Sequence, residues 1–251
     1  MQQYFVNDKL DISINSSLDK EQAHHIINVM RMKTNDMIRV VDVDSKVFLC
    51  KIHISNREVN FEAIEAIKDA SIMNIKVTLI QSLIKKEKWD FLLQKTTELG
   101  VDRIVPLQSK YCVVKLNDDS NKKVERWSKI CTEAAEQSKR STLVKIEQPI
   151  KLSDIALYKS DLNIIAYEAA DIDANKLSSL LLANPHIKSI TYVVGCEGGF
   201  AKEEVEYANN LGFINASLGG RILRAETAAI YLLSATNLFI DIEGEQNGKN
   251  N

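Results

Sequence analysis

The stretch from Thr191 to Ala228 constrains the fold more than any other. It opens on a short apolar run, Thr191-Tyr192-Val193-Val194, that breaks at Gly195-Cys196-Glu197-Gly198-Gly199-Phe200. A charged segment of helical character follows over 201–211, and a second glycine turn leads into Leu218-Gly219-Gly220-Arg221-Ile222-Leu223-Arg224-Ala225-Glu226-Thr227-Ala228. The order is strand, glycine loop, helix, loop, glycine turn, helix. Glycine lacks Cβ and accepts positive φ, so such loops let a backbone close on a ligand. The same pattern also suits two ordinary strand-to-helix turns.

The segments before it extend the pattern. Ile75–Gln81, Val101–Leu107, Leu162–Tyr167 and Ile190–Val194 are apolar runs of strand length. Helical periodicity separates them: a helix from Lys85–Lys88 through Leu99, with Gly100 as its stop, another over 126–140 and a third over 176–182. A strong final helix is expected over 226–240. Strands alternating with helices imply a mainly parallel sheet covered on both faces. Ligands of such sheets sit beyond the carboxyl ends of the strands, where Gly195–Phe200 falls. No Gly-Lys-Ser/Thr follows that loop, no convincing Gly-x-Gly-x-x-Gly is present, and no Gly-x-Ser-x-Gly occurs. Phosphate-loop, dinucleotide and hydrolase-elbow readings are therefore unsupported.

Residues 1–72 differ in texture. Met37–Asp44, Val47–Ile54 and Val59–Ile67 read as short strands, with Asp44-Ser45 suited to a tight turn, and one helix interrupts over 19–30. Small sheets of this kind serve as RNA-binding modules and as scaffolds alike. His24 and His25 point to different sides of the helix and read as surface or packing residues. A boundary falls near 69–74.

Composition narrows the class. No apolar run approaches the roughly 18 residues of a membrane span, and the first residues lack a basic region followed by an apolar core, so no secretory signal is expected. Four scattered cysteines without a Cys-x-x-Cys pair argue for reduced thiols in a cytoplasmic setting and against a zinc site; no metal is expected. Net charge is −2, yet its distribution is uneven. Residues 1–72 carry 9 basic and 11 acidic side chains, residues 73–150 carry 15 and 10, and residues 151–251 carry 8 and 13. A positive middle third can attract a polyanion, although it also suits a solvated lysine-rich surface.

At the level of motifs, the chain resembles the RsmE family of ribosomal RNA methyltransferases in the SPOUT superfamily. The matching segments are HIINVMRMKTND at 25–36, KTTELGVDRIVP at 95–106, EAAEQSKR at 133–140, GCEGGF at 195–200 with Glu203-Glu204, and LGGRILRAETA at 218–228. They span essentially the whole chain. The resemblance implies a PUA-like RNA-binding β-barrel over 1–72, an α/β SPOUT domain with a C-terminal trefoil knot over 73–245, and a flexible tail over 246–251. It implies a homodimer, S-adenosylmethionine as cofactor, and methylation of N3 of a uridine in 16S rRNA of the small ribosomal subunit. Departures are Cys196 in place of the family's usual Pro, Gln3 for an early Arg, Tyr111-Cys112 for an Arg-Ser pair and Val144 for a Pro. The two absent arginines bear on RNA contacts rather than on the cofactor site.

On this reading Gly195, Glu197, Gly198, Gly199, Leu218, Gly219, Ile222, Leu223 and Thr227 are expected to hold the cofactor. Uracil N3 is a poor nucleophile until its proton leaves. Arg224 is the candidate to stabilise the resulting charge on the flanking carbonyls, or else a salt-bridge partner of Glu197 or Glu226. Glu226 and Glu197 are the candidate bases. Cys196 reads as packing, since N3 methylation needs no covalent adduct. Arg31, Lys33, Lys85, Lys86, Lys88, Arg103, Lys139 and Arg140 are candidate phosphate contacts, which position an RNA rather than specify it. Two alternatives stand beside this reading: a ribose 2′-O-methyltransferase of the same superfamily, and a catalytically silent RNA-binding assembly factor.

Overall fold

A computed structural model describes residues 1–13, 15–69, 71–115, 120–168 and 176–248. The chain divides into two compact units. The first comprises 1–72 together with 135–142, and the second comprises 73–134 and 143–251.

The first unit is a five-stranded mixed sheet. Its strands are β1 (Gln3–Phe5), β2 (Asn15–Ser17), β3 (Met37–Val41), β4 (Val47–Ser55) and β5 (Glu58–Ile67), in spatial order β1-β3-β4-β5-β2. β1 runs parallel to β3 and the other pairs are antiparallel. β3 and β4 are joined by a tight turn because Asp42 Oδ1 accepts from the backbone N–H groups of Asp44 (2.9 Å) and Lys46 (2.8 Å). Ser45, at the turn's tip, has φ 61°. The helix expected over 19–30 is shorter and irregular. α1 (Lys20–His24) is capped by Asp19, and the chain then widens into a π-helical segment at His25–Val29. His25 Nδ1 lies 2.9 Å from the Tyr4 hydroxyl, a packing role. Tyr4, Ile26, Ile38, Ile52 and Phe61 form the core. Residues 135–142 are tied in by backbone and side-chain bonds: Gln3 Nε2 donates to the Arg140 carbonyl at 2.5 Å, and the Ser141 hydroxyl donates to Asp69.

The second unit is built on a parallel sheet: β6 (Lys76–Ser82), β7 (Arg103–Gln108), β8 (Lys145–Ile146), β9 (Ile150–Lys151), β10 (Leu162–Ala166), β11 (Ser189–Val194) and β12 (Ile214–Ala216). The order is β12-β10-β11-β6-β7-β8, with β9 also on β7, and every pair is parallel. Successive residues alternate between faces, and the central strands β6, β7, β10 and β11 bury apolar residues on both sides. Leu79, Ile164 and Tyr192 face α2 (Lys86–Glu98), α3 (Ser120–Ser138) and α6 (Ala225–Gly248). Ile80, Ile165 and Val193 face α5 (Lys202–Asn210) and the 3₁₀ helix Leu152–Tyr158. On the first face Trp89 packs on Trp127 with ring centroids 5.1 Å apart. Truncating such a buried Trp to Ala costs on the order of 3–5 kcal/mol.

The mainly parallel sheet implied by the alternation is present. Helix α4 (Leu177–Leu182) and α5 lie close to their expected bounds, while α3 begins earlier, at Ser120. The tail expected over 246–251 is helical as far as Gly248, and 249–251 lie outside the described residues. No helix among the described residues is long and apolar enough to cross a membrane.

Candidate active site

The site forms where β10, β11 and β12 end. β11 is buried along most of its length, and it stops because Gly195 turns back on itself. A Cβ at Gly195 would lie 3.1 Å from the Cα and carbonyl carbon of Gly199, so a side chain there would press on the Gly199 backbone. Gly199 itself has φ +67°, a conformation that favours glycine, and its N–H donates to the Cys196 carbonyl at 3.0 Å. Gln81 secures the turn from β6. Its Nε2 donates to the carbonyls of Ser82 (3.0 Å) and Gly195 (3.1 Å) while its Oε1, fully buried, has no partner. Downstream, the Glu204 side chain is buried. Its two oxygens accept from the N–H groups of Ala201 (3.0 Å) and Lys110 (2.8 Å), which satisfy it and cap α5.

The second glycine turn follows β12. Ser217 Oγ accepts from the N–H of Gly219 at 3.3 Å, and the chain passes through Gly220–Arg224 before α6 begins. Between the two turns lies a cavity of 570 Å³, walled by Lys88, residues 166–168, 194–199, 217–225 and Ala228. That volume falls within the range of roughly 300–1,000 Å³ typical of cofactor pockets.

Lys88, in the first turn of α2, organises the charge. Its Nζ lies 3.7 Å from Oε1 of Glu197 and 3.9 Å from Oε1 of Glu226. Glu197 Oε1 also accepts from the backbone N–H of Lys85 at 3.4 Å. Glu226 is only 8% exposed and its Oε2 has no hydrogen-bond partner. Arg224 is exposed and makes no ion pair among the described residues. The salt bridge considered for it with Glu197 or Glu226 is instead made by Lys88.

The structure thus brings together Gly195, Glu197, Gly198, Gly199, Leu218, Gly219, Ile222, Leu223 and Arg224. Ile222 is 89% exposed and sits on the cavity rim rather than covering it. Glu226 stands behind the wall, reached through Lys88. Thr227 is exposed on α6 and does not line the cavity. Sequence reasoning missed Ala166, Tyr167, Glu168 and Ser217. The first three end and follow β10, and the rule that ligands gather at strand carboxyl ends could have singled them out.

The basic residues separate into different environments. Lys85 and Lys86 are exposed at the start of α2, and Lys88 turns inward to the cavity. Arg103 pairs with Glu147 at 3.3 Å and lies over the Tyr158 ring. In the first unit Arg31 and Lys33 are exposed. Lys139 Nζ donates to the Glu136 carbonyl at 3.2 Å, and burial together with the nearby Arg39 holds its ammonium below the usual lysine range. Arg140 is buried and donates to the Thr142 hydroxyl at 3.1 Å. Its place is structural, because a buried guanidinium cannot meet a phosphate in solvent.

A parallel α/β unit that gathers both glycine turns at the carboxyl ends of its strands, in one chain with a separate small mixed-sheet unit, is the make-up of an RNA methyltransferase. The RNA methyltransferase domain family matches residues 71–237, and the RNA methyltransferase PUA domain family matches residues 18–64. The ribosomal RNA small subunit methyltransferase E of Bacillus subtilis is 34% identical over 94% of this chain and 95% of its own length. A solved structure of the Neisseria gonorrhoeae ribosomal RNA small subunit methyltransferase E, bound to S-adenosyl methionine, is 27% identical, covers 95% of this chain and 97% of its own, and superposes with a TM-score of 0.86. A methyltransferase of Legionella pneumophila, in complex with the bound cofactor SAM, is 28% identical over 93% of this chain and 95% of its own, with a TM-score of 0.84. The chain belongs to the ribosomal RNA small subunit methyltransferase E family.

Proposed function

We propose that this chain transfers a methyl group from S-adenosylmethionine to N3 of a uridine in 16S rRNA of the small ribosomal subunit. The observation that carries the reading is the single cavity shared by the two glycine turns, with Glu197 and Lys88 on its wall and Arg224 at its mouth. Its residues suit the cofactor. The backbones of 195–199 and 217–224 offer polar groups for the amino-acid and adenosine parts, Leu218 and Leu223 offer apolar cover, and the acidic side chains of Glu168 and Glu197 suit a cationic sulfonium. When bound, the cofactor supplies an already activated methyl group.

The chain's own task is positioning and proton handling. Glu197 is the better placed base: it lines the cavity, and only its Oε1 is engaged by Lys85 and Lys88. The N3 proton therefore passes to Glu197 Oε2. Glu226, buried behind it, keeps Lys88 in place. Arg224, free of ion pairs among the described residues, faces the negative charge that spreads to the uracil carbonyl oxygens. Lys85 and Lys86 in one unit, and Arg31 and Lys33 in the other, supply phosphate contacts. The homodimer, the trefoil knot and a cytoplasmic location belong to the same reading and rest on family membership.

The test is methyl transfer to small subunits that lack the modification, with the product nucleosides separated and identified. Appearance of 3-methyluridine is expected. A 2′-O-methylated nucleoside would replace this reading with the ribose chemistry. Absence of S-adenosylmethionine binding by calorimetry would favour a silent assembly factor.

A further inference from the structure

Glu168 lines the cavity, and proton transfer makes no use of it. Its position is fixed by the sheet. β10 lies between β11 and β12, with Ile165 opposite Val193 and Ala166 opposite Ala216. The Tyr167 N–H donates to the Ala216 carbonyl at 3.2 Å, which carries the pairing one residue past the strand. Glu168, the next residue, therefore emerges between the turn that leaves β11 and the turn that leaves β12. Gly199 makes room for it. A Cβ there would stand 3.0 Å from Oε1 and 3.4 Å from Oε2 of Glu168. The carboxylate thus lies over the first glycine turn, in space that a side chain at 199 would contest.

Both oxygens of this carboxylate are uncommitted. Glu168 makes no hydrogen bond or ion pair among the described residues, although Lys88, Arg221 and Arg224 share the cavity wall. Glu197 differs, because its Oε1 is taken by Lys85 and Lys88. A polar group covered by a ligand costs free energy unless the ligand supplies a partner. S-adenosylmethionine carries donors at the adenine amine, the two ribose hydroxyls and the ammonium. Placement selects among them. Lys88 and Glu197 stand toward α2, which follows β6 on one side of β11. Glu168 stands on the other side of β11, next to β12, whose continuation carries Leu218 and Leu223, the apolar cover available to adenine. The nucleoside end therefore belongs beside Glu168. Hydroxyls on adjacent ribose carbons match the two oxygens of one carboxylate, and hydrogen bonds to a carboxylate are strong. In α/β dinucleotide folds an acidic side chain holds a ribose hydroxyl in the same way.

We propose that Glu168 is a cofactor-recognition residue whose two carboxylate oxygens accept from the 2′- and 3′-hydroxyls of the S-adenosylmethionine ribose. The proposal rests on the cofactor reading above and gives it a chemical specificity. The site selects an adenosyl ligand by its ribose diol, at a contact remote from the sulfonium and its methyl group. The demethylated product carries the same diol, so Glu168 serves cofactor and product alike. Lys88, Glu197 and Arg224 are left to the reacting end.

The experiment titrates the full-length protein and its Glu168→Gln variant by calorimetry with four ligands. These are S-adenosylhomocysteine, its 2′-deoxy and 3′-deoxy counterparts, and 5′-methylthioadenosine, which keeps the ribose and lacks the amino acid. In Glu168→Gln the Kd for S-adenosylhomocysteine should rise at least about tenfold, and that for 5′-methylthioadenosine should rise by a similar factor. The deoxy ligands should bind wild type more weakly and lose little more in the variant, so that the two changes are not additive. Glu168→Ala should repeat the loss, and both variants should keep the wild-type urea midpoint. An unchanged Kd, or a loss that persists in full with both deoxy ligands, overturns the proposal. So does a loss that vanishes with 5′-methylthioadenosine, which would place Glu168 at the ammonium instead. A loss that comes with a lowered urea midpoint in both variants also overturns it. Wild-type protein that binds none of the four ligands overturns the cofactor reading itself, whereas the other outcomes leave that reading standing.

Discussion

Lys88 Nζ lies 3.9 Å from Oε1 of Glu226, and the other oxygen of that buried carboxylate has no partner. One lysine thus serves two acids, Glu226 and Glu197. Replacing it with methionine removes the ion-pair partner of both carboxylates. Lys88→Met is expected to lower stability by roughly 1 kcal/mol, since the lysine is a third exposed and its pairing is screened. Urea unfolding measures this. Turnover should fall further than stability, and Lys88→Arg should recover part of it. A variant that matches wild type in both assays would reduce Lys88 to a bystander.

Arg224 has no carboxylate to hold it among the described residues, which leaves its guanidinium for the substrate. Arg224→Ala should bind S-adenosylmethionine within about twofold of wild type. Its rate of 3-methyluridine formation should drop by on the order of 10²-fold, as when one preorganised donor to a developing anion is removed. Near-normal turnover would return the arginine to a structural role.

The exposed Lys85 and Lys86 contrast with the buried Arg140. The double variant Lys85→Ala, Lys86→Ala should weaken RNA binding and flatten the dependence of log K on log salt by about one to two units. Arg140→Ala should instead lower the melting temperature through the loss of buried hydrogen bonds. An unchanged salt slope in the lysine variant removes those residues from the RNA face.

At Gly199, alanine would combine φ +67° with a Cβ 3.0 Å from Oε1 of Glu168. Gly199→Ala should cost about 1–2 kcal/mol from the left-handed backbone alone and weaken cofactor binding. At Gly220 an added Cβ meets nothing within 4 Å. Gly220→Ala should unfold at a urea concentration close to wild type. Equal stability of the two variants would mean that the first turn is less confined than its geometry indicates.

The glycine turns were legible because their chemistry is local. The chain must bend at Gly195, and the apolar run before it and the charged helix after it mark the place. The parallel sheet was legible for a similar reason, in the alternation of strand-length and helix-length segments. Lys88 was not. It sits among lysines that stay in solvent, and only the register of α2 turns it toward Glu197 and Glu226. Arg140 was misread because burial depends on which unit residue 140 joins, a matter of long-range packing. Tyr167 and Glu168 reach the cavity because β10 lies beside β11 and β12, an order that local periodicity does not encode.

The assignment of residues 135–142 to the first unit means that the polypeptide passes from one unit to the other three times, at 72/73, 134/135 and 142/143. No single cut can therefore release either unit whole. A fragment ending at Ile72 would lack the carbonyl that receives Gln3 and the hydroxyl that donates to Asp69. A gene built by joining a ready-made RNA-binding module to a ready-made catalytic one would need only one junction. Here the two are interleaved in the chain, so they must be made, folded and inherited as one object.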